Sequence, residues 1–125
     1  MTQTVAQAIA MAAQAIRNCR DNGNLEWLDK HSERLDQLVR DHLPSGSGFN
    51  SGTQFDEDAS TSERLVFTTS FHHMNDVGYY DGWSDHKIIV RPTFTGLDIR
   101  VTGRNRADIK DYIEGVFRHA LESDA

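Results

Sequence analysis

Apolar residues recur every three to four positions in the N-terminal third of the chain, which is the spacing of one face of an α-helix. One stripe consists of Val5, Ile9, Ala12, Ile16 and Cys19, and a second of Leu25, Leu28, Leu35, Leu38 and His42. Between them, Gly23 suits a left-handed helix C-cap and Asn24 suits the next N-cap. The second stripe stops at Leu43-Pro44, because the residue before a proline avoids the α region. The pattern predicts an antiparallel helical hairpin over residues 3–43.

A polar segment rich in Gly and Ser follows at residues 44–63. Its composition is that of a loop. A loop of this length is long for a compact domain. We therefore expect it to be functional, to be disordered, or to contain a short strand that its sequence does not reveal.

Between residues 64 and 103 the hydrophobic period changes to two. The apolar-side positions are Leu65, Phe67, Thr69 and Phe71, then Ile88, Val90 and Phe94, then Leu97, Ile99 and Val101. Alternation with one polar face predicts three strands of an antiparallel sheet that is covered on one side. Thr95-Gly96 reads as a two-residue hairpin turn, and Pro92 favours an edge or a bulge.

Helical spacing returns at residues 105–122, where Asn105 suits the N-cap and Asp108 completes a near capping box. The apolar stripe is Ile109, Ile113, Val116, Phe117, Ala120 and Leu121. Gly115 lowers helix propensity, so we expect it to permit close packing on the sheet. The predicted fold is α+β with element order ααβββα, in one domain of 125 residues.

The cysteine content of this domain fits a reducing compartment. Cys19 is the only cysteine, so no internal disulfide forms. The N-terminal residues lack a basic region followed by a long apolar run, which argues against a signal peptide or a membrane span. These features predict a cytoplasmic protein that needs no cofactor.

The formal charge is −6, and it is unevenly distributed. Residues 46–63 and 75–86 contain acids and no Lys or Arg, whereas residues 87–107 contain mostly bases. The bases are Lys87, Arg91, Arg100, Arg104 and Arg106, set against Asp98. Net negative charge argues against general nucleic-acid binding, since attraction to phosphates dominates it. It favours a partner protein with a basic surface.

The stretch 71–86 links two predicted strands and concentrates aromatic and acidic side chains. Tyr and Trp are enriched at interface hot spots, and carboxylates suit an arginine-rich partner. The candidate partner-binding residues are Asp76, Tyr79, Tyr80, Asp81, Trp83 and Asp85. A secondary acidic loop is formed by Asp56, Glu57 and Asp58. The alternative is a hairpin tip whose turn formers and rings fold back over the core.

A metal site is a second hypothesis for the same stretch. In a hairpin, His72 and His86 could face each other across the strands with a carboxylate nearby. Zinc needs three or four converging ligands, and no recognised ligand spacing is present. Adjacent histidines such as His72 and His73 also point to opposite faces of a strand. No phosphate-binding loop or nucleophile elbow occurs either, so we assign no catalytic or metal-binding residue.

The C-terminal part offers a third hypothesis. Strands followed by a helix that begins near Gly103-Arg104-Asn105-Arg106 resemble a double-stranded-RNA-binding domain, in which basic residues at that helix start contact phosphates. Arg104, Arg106 and Lys110 would have this role. Asp108 and Asp111 interrupt the cluster, and the total charge opposes such binding.

Several short blocks carry a further resemblance. They are residues 43–49, 71–74, 80–83, 85–86, 103–106 and 108–112. These blocks resemble an uncharacterised group of small phage and prophage accessory proteins, from which no catalytic residue can be transferred. The resemblance implies a setting in which small acidic proteins inhibit host defence, as anti-CRISPR proteins do by occupying nucleic-acid-binding surfaces. The function expected is therefore that of a non-enzymatic inhibitor that binds a host protein or ribonucleoprotein complex.

Overall fold

The computed structural model describes residues 3–46, 48–49, 51–74 and 80–125, and for residues 73, 74, 80 and 81 it describes the backbone alone. The chain is an α+β protein with two N-terminal helices, an antiparallel four-stranded sheet and a C-terminal helix. The elements in chain order are α1 Val5–Asn22, α2 Leu25–His42, β1 Thr53–Phe55, β2 Leu65–Met74, β3 Tyr80–Thr93, β4 Gly96–Val101 and α3 Ala107–Glu122.

The predicted helical hairpin is confirmed as α1 and α2. Thr4 begins α1 with a capping box, in which its hydroxyl accepts from the backbone N–H of Gln7. Gly23 ends α1 in the left-handed region at φ 70°, and the Asn24 side chain accepts from Trp27 N at 3.3 Å to begin α2. None of the helices in the described part of the chain is long and apolar enough to cross a bilayer.

The first predicted stripe is buried throughout, and the second only in part. Leu35 and Leu38 are buried, whereas Leu25 is exposed. Leu25 is the first residue of α2, whereas the buried residues Leu35, Leu38 and Val39 lie in the C-terminal half of that helix. The helical period therefore identified which face of α2 is buried, but not at which residue along the helix burial begins.

The sheet has four strands in the order β1-β2-β3-β4, all antiparallel. The three expected strands are present as β2, β3 and β4. The fourth, β1, lies within the segment assigned to a loop, where an unrecognised short strand was one of the alternatives. β1 pairs with residues 67–69 of β2, with Phe55 opposite Phe67 and the two rings 5.5 Å apart. Three residues are too few for an alternating pattern to be recognised in the sequence.

The helices cover one face of the sheet, and the core lies between them. The sheet contributes Leu65, Phe67, Ile88, Val90 and Ile99 to this core. The largest fully buried helical side chains are Ile9, Ile16, Ile113, Phe117 and Leu121. We call this the inner face of the sheet. The opposite, outer face carries the intervening side chains.

Two expectations for α3 were wrong. Asn105 does not cap the helix: the N-cap is Arg106 and makes no side-chain cap hydrogen bond. Gly115 does not pack on the sheet either, since it is exposed and a β-carbon there would meet nothing within 4 Å. The Asn105 side chain instead bonds to β3, as described below.

The turn between β3 and β4 is displaced by one residue from its predicted position. Thr93 pairs with Gly96, so Phe94 and Thr95 form the two-residue turn. Phe94 is therefore fully exposed, although its spacing had placed it on the apolar side of the strand. Pro92 lies opposite Leu97 on β4.

Candidate binding surface on the β2–β3 hairpin

The β2–β3 hairpin extends beyond its neighbouring strands. β1 pairs with β2 at residues 67–69, and β4 pairs with β3 at residues 88–93. Residues 70–74 and 80–85 continue to pair with each other. Within the described chain no third strand joins them, so they form a two-stranded ribbon that projects from the sheet. We refer to residues 70–74 and 80–85 as the ribbon.

Strand alternation divides the ribbon side chains between two faces. Phe71 is opposite Ser84 on the inner face, in line with Phe67 and Ile88. His72 is opposite Trp83, and Ser70 is opposite Asp85. These four side chains lie on the outer face.

Trp83 is the large exposed apolar side chain in the described part of the ribbon. Its side chain is 63% exposed, and its ring centroid lies 6.4 Å from that of His72. An indole in this position offers a large rigid surface at low entropic cost. Of the expected partner-binding residues, Trp83 is thus placed at the surface and not in the core.

Asp85 lies two residues further along β3 on the same face and is also exposed. Its Oδ1 accepts a hydrogen bond from the Ser70 hydroxyl at 2.5 Å. A rise of about 3.3 Å per residue separates the Cα atoms of Trp83 and Asp85 by about 7 Å. The second carboxylate oxygen makes no bond within the described residues, so the group can accept from a partner.

The other expected contact residues are not described to the same extent. Asp76 and Tyr79 lie outside the described residues. Tyr80 and Asp81 lie in β3 as backbone positions. The hypothesis that these four side chains contact a partner therefore stays a prediction.

Aromatic packing anchors the inner face of the ribbon. The Phe71 ring centroid lies 5.0 Å from that of Phe49 and 5.9 Å from that of Tyr112 on α3. A β-carbon on Gly48 would lie 2.6 Å from the Phe71 ring, and the Gly48 carbonyl accepts from His72 N at 2.8 Å. The loop before β1 thus holds the base of the ribbon, while Trp83 stays on the opposite side.

A polar cluster around His86 provides a second anchor that sequence reasoning missed. His86 is 3% exposed, and its Nδ1 lies 2.7 Å from the Thr102 carbonyl oxygen. A carbonyl only accepts, so Nδ1 carries a proton and donates to it. The Ser84 hydroxyl lies 2.6 Å from Nε2, and the Asn105 amide donates to Ser84 Oγ at 2.7 Å.

This cluster joins β3 to the segment between β4 and α3. Gly103 at φ 107° brings that segment against His86, where a β-carbon would lie 2.8 Å from Nδ1. Ser84 and His86 are neighbours on one face of β3, but Thr102 and Asn105 lie 16 and 21 residues from their partners, so only the pairing of β3 with β4 brings the cluster together. The sole local signal was Gly103, since glycine permits such close approach.

The expected facing pair of His72 and His86 does not form. His72 is opposite Trp83, whereas His86 is opposite Thr69. Strand alternation places His72 on the outer face and His86 on the inner face. Among the described residues, no group of three His, Cys, Asp or Glu side chains could hold a metal ion.

The secondary acidic loop is tied to the body of the protein. Asp56 Oδ1 accepts from Ala59 N at 3.1 Å. Glu57 forms an ion pair with Arg20 of α1 at 2.5 Å, and Asp58 is exposed. Two of the three carboxylates thus stabilise the loop conformation.

The basic residues are distributed over two surfaces. Lys87, Arg91 and Arg100 are exposed and alternate onto the outer face. Arg104 and Arg106 are exposed before α3, and Arg106 Nε lies 3.4 Å from Asp108 Oδ1.

Comparison of the chain with protein-family models, with curated proteins and with solved structures finds no match.

Proposed function

We propose that this chain is a non-enzymatic protein-binding module that inserts its ribbon against a basic surface of a partner. The observation that carries the proposal is the exposed Trp83 on a ribbon that projects beyond the sheet. A tryptophan at the centre of an interface is a typical hot spot. Because the Trp83 side chain is exposed to water, it does not contribute to the described core.

Electrostatics favours a basic partner. Residues 75–86 contain Asp76, Asp81 and Asp85 and no Lys or Arg. Charge-assisted hydrogen bonds from arginine to carboxylates are stronger than neutral ones. A concentrated negative field also accelerates association with a positive surface. Under this proposal Asp85 accepts from the partner through the oxygen that Ser70 leaves open.

The resemblance to phage and prophage accessory proteins supplies the setting. We propose that the chain acts in the cytoplasm of a host cell as an inhibitor of a defence complex that handles nucleic acid. Such a complex has a basic surface for phosphates, which an acidic ribbon can occupy in their place. No cofactor is required for this mechanism, because inhibition is by occupancy.

The test is a pull-down from host lysate read by mass spectrometry, with the chain as bait. Trp83→Ala combined with Asp81→Ala is expected to abolish retention of the partner while thermal stability changes little. Trp27→Ala removes the other exposed tryptophan, on α2, and is expected to retain the partner. Unfolding of the double variant would show that the ribbon belongs to the core and would overturn the site.

Binding of double-stranded RNA is the second candidate. Arg104 is exposed and has no ion pair with any described residue, which favours contact with a phosphate. Arg106 is less available, because Asp108 already pairs with it. A gel shift with duplex RNA would support this function if retention fell with salt and was lost in Arg104→Glu with Arg106→Glu.

A further inference from the structure

We propose that the outer face of the sheet holds a saccharide site, in which Trp83 stacks on a pyranose ring and a groove beside it binds the hydroxyls. This site goes beyond the proposed function, because it uses side chains of β1, β2 and β3 and takes a different class of ligand. It shares Trp83 and Asp85 with the ribbon surface, and the experiment below separates the two.

The groove has a volume of about 480 Å³, within the range of small-molecule sites. Register places its polar side chains in adjacent rows. In one row Gln54 is opposite Thr68, and Thr68 is opposite Lys87. Thr102 extends this row, since its N–H donates to the Lys87 carbonyl at 2.9 Å. The next row is Ser70 opposite Asp85.

The chemistry of these groups matches a polyol. A sugar hydroxyl both donates and accepts, so its site needs both functions close together. The Thr68 hydroxyl and the Gln54 amide supply both, while Asp85 accepts and Lys87 donates. The Thr102 hydroxyl is engaged with the Lys87 backbone and so only lines the groove. The charges of Lys87 and Asp85 balance each other in the groove. A neutral ligand is therefore favoured over an anion.

Trp83 supplies the apolar side of the site. It precedes Asp85 by two positions on the same face of β3, so its Cα stands about 7 Å from that of Asp85 in the row formed by Ser70 and Asp85. One face of a pyranose carries C–H groups, which pack against an exposed indole as other apolar groups do. His72, with its ring 6.4 Å away, extends this surface across the ribbon.

The experiment is a titration of isotope-labelled protein with methyl glycosides of glucose, galactose, mannose and N-acetylglucosamine, followed by amide chemical shifts. The expected result is saturable shifts at Gln54, Thr68, Lys87 and Trp83 with at least one glycoside, at a Kd of about 1 mM or tighter. The absence of saturable shifts with all four, or shifts with inorganic phosphate alone, would overturn the site.

Variants assign the binding to the groove. Trp83→Ala and Gln54→Ala are each expected to weaken binding about tenfold, which corresponds to about 1.4 kcal/mol. Trp27→Ala is expected to leave it unchanged. Gln54 is exposed on a short edge strand, so its variant tests the site even if Trp83→Ala fails to fold. Affinity retained in Gln54→Ala would contradict the proposal.

The saccharide site and the partner-binding ribbon can be tested independently of each other. Gln54→Ala is expected to weaken glycoside binding and leave partner capture intact. Asp76→Ala is expected to weaken partner capture and leave glycoside binding intact. Loss of both activities in both variants would contradict the division into two sites.

Discussion

Gly103 lies so close to His86 that a β-carbon at position 103 would stand 2.8 Å from the imidazole Nδ1. The same β-carbon would clash with the carbonyl oxygen of Asp85. Because Asp85 and His86 belong to β3, this contact determines how the chain leaving β4 meets the base of the ribbon. It links the stability of the fold to the position of the candidate surface.

Gly103→Ala is expected to destabilise the protein through this contact. Gly23→Ala is the matched control, since Gly23 also has a positive φ but open space around it. The control is expected to cost about 1–2 kcal/mol from the left-handed backbone. Gly103→Ala is expected to cost about 1–3 kcal/mol more through overpacking. Urea unfolding measures both, and equal losses would show that the segment moves aside.

His86→Ala is expected to lower the free energy of unfolding by about 1–3 kcal/mol, because the Thr102 carbonyl loses the imidazole donor and the Ser84 hydroxyl loses one of its two side-chain partners. His119→Ala, at an exposed position of α3, is expected to change it by less than about 0.5 kcal/mol. Chemical denaturation of both variants checks the difference. A stable His86→Ala protein would mean that the cluster does not hold β3 to the segment before α3.

Gly115→Ala is expected to stabilise the protein by about 1 kcal/mol, the difference in helix propensity between the two residues. Nothing lies within 4 Å of the added β-carbon, so no packing is disturbed. Thermal unfolding should show a higher midpoint. A lower midpoint would indicate that other groups pack against α3 at Gly115 and that an added β-carbon disturbs them.

The ion pair between Arg20 and Glu57 is expected to contribute little. Its side chains are 54% and 24% exposed, and such pairs give about 0.2–1 kcal/mol. A double-mutant cycle with Arg20→Ala and Glu57→Ala measures the coupling energy, which should fall as salt is added. A coupling that is larger and independent of salt would show that the acidic loop is held mainly by this contact.

Part of the fold could be predicted from local pattern. Three helices, the three longer strands and the core-facing side of each followed from apolar spacing, because periods of 3.6 and 2 directly reflect which side chains share a face. Gly23 and Asn24 were also assigned correctly, since a cap depends on residues adjacent in sequence. For the candidate surface, the position of Trp83 outside the core agrees with the expectation from its neighbours.

Register and tertiary contact decided the rest. A shift of one residue in strand pairing moves a side chain to the opposite face of the sheet. The pairing of β2 with β3 places His72 and His86 on opposite faces. The pairing of Thr93 with Gly96 places Phe94 in the turn. β1 forms through its pairing with β2, and Asn105 bonds to Ser84 instead of capping α3. The sequence by itself determined the elements and their apolar faces. The tertiary structure alone decided which polar groups meet, because those contacts join residues that no local period relates.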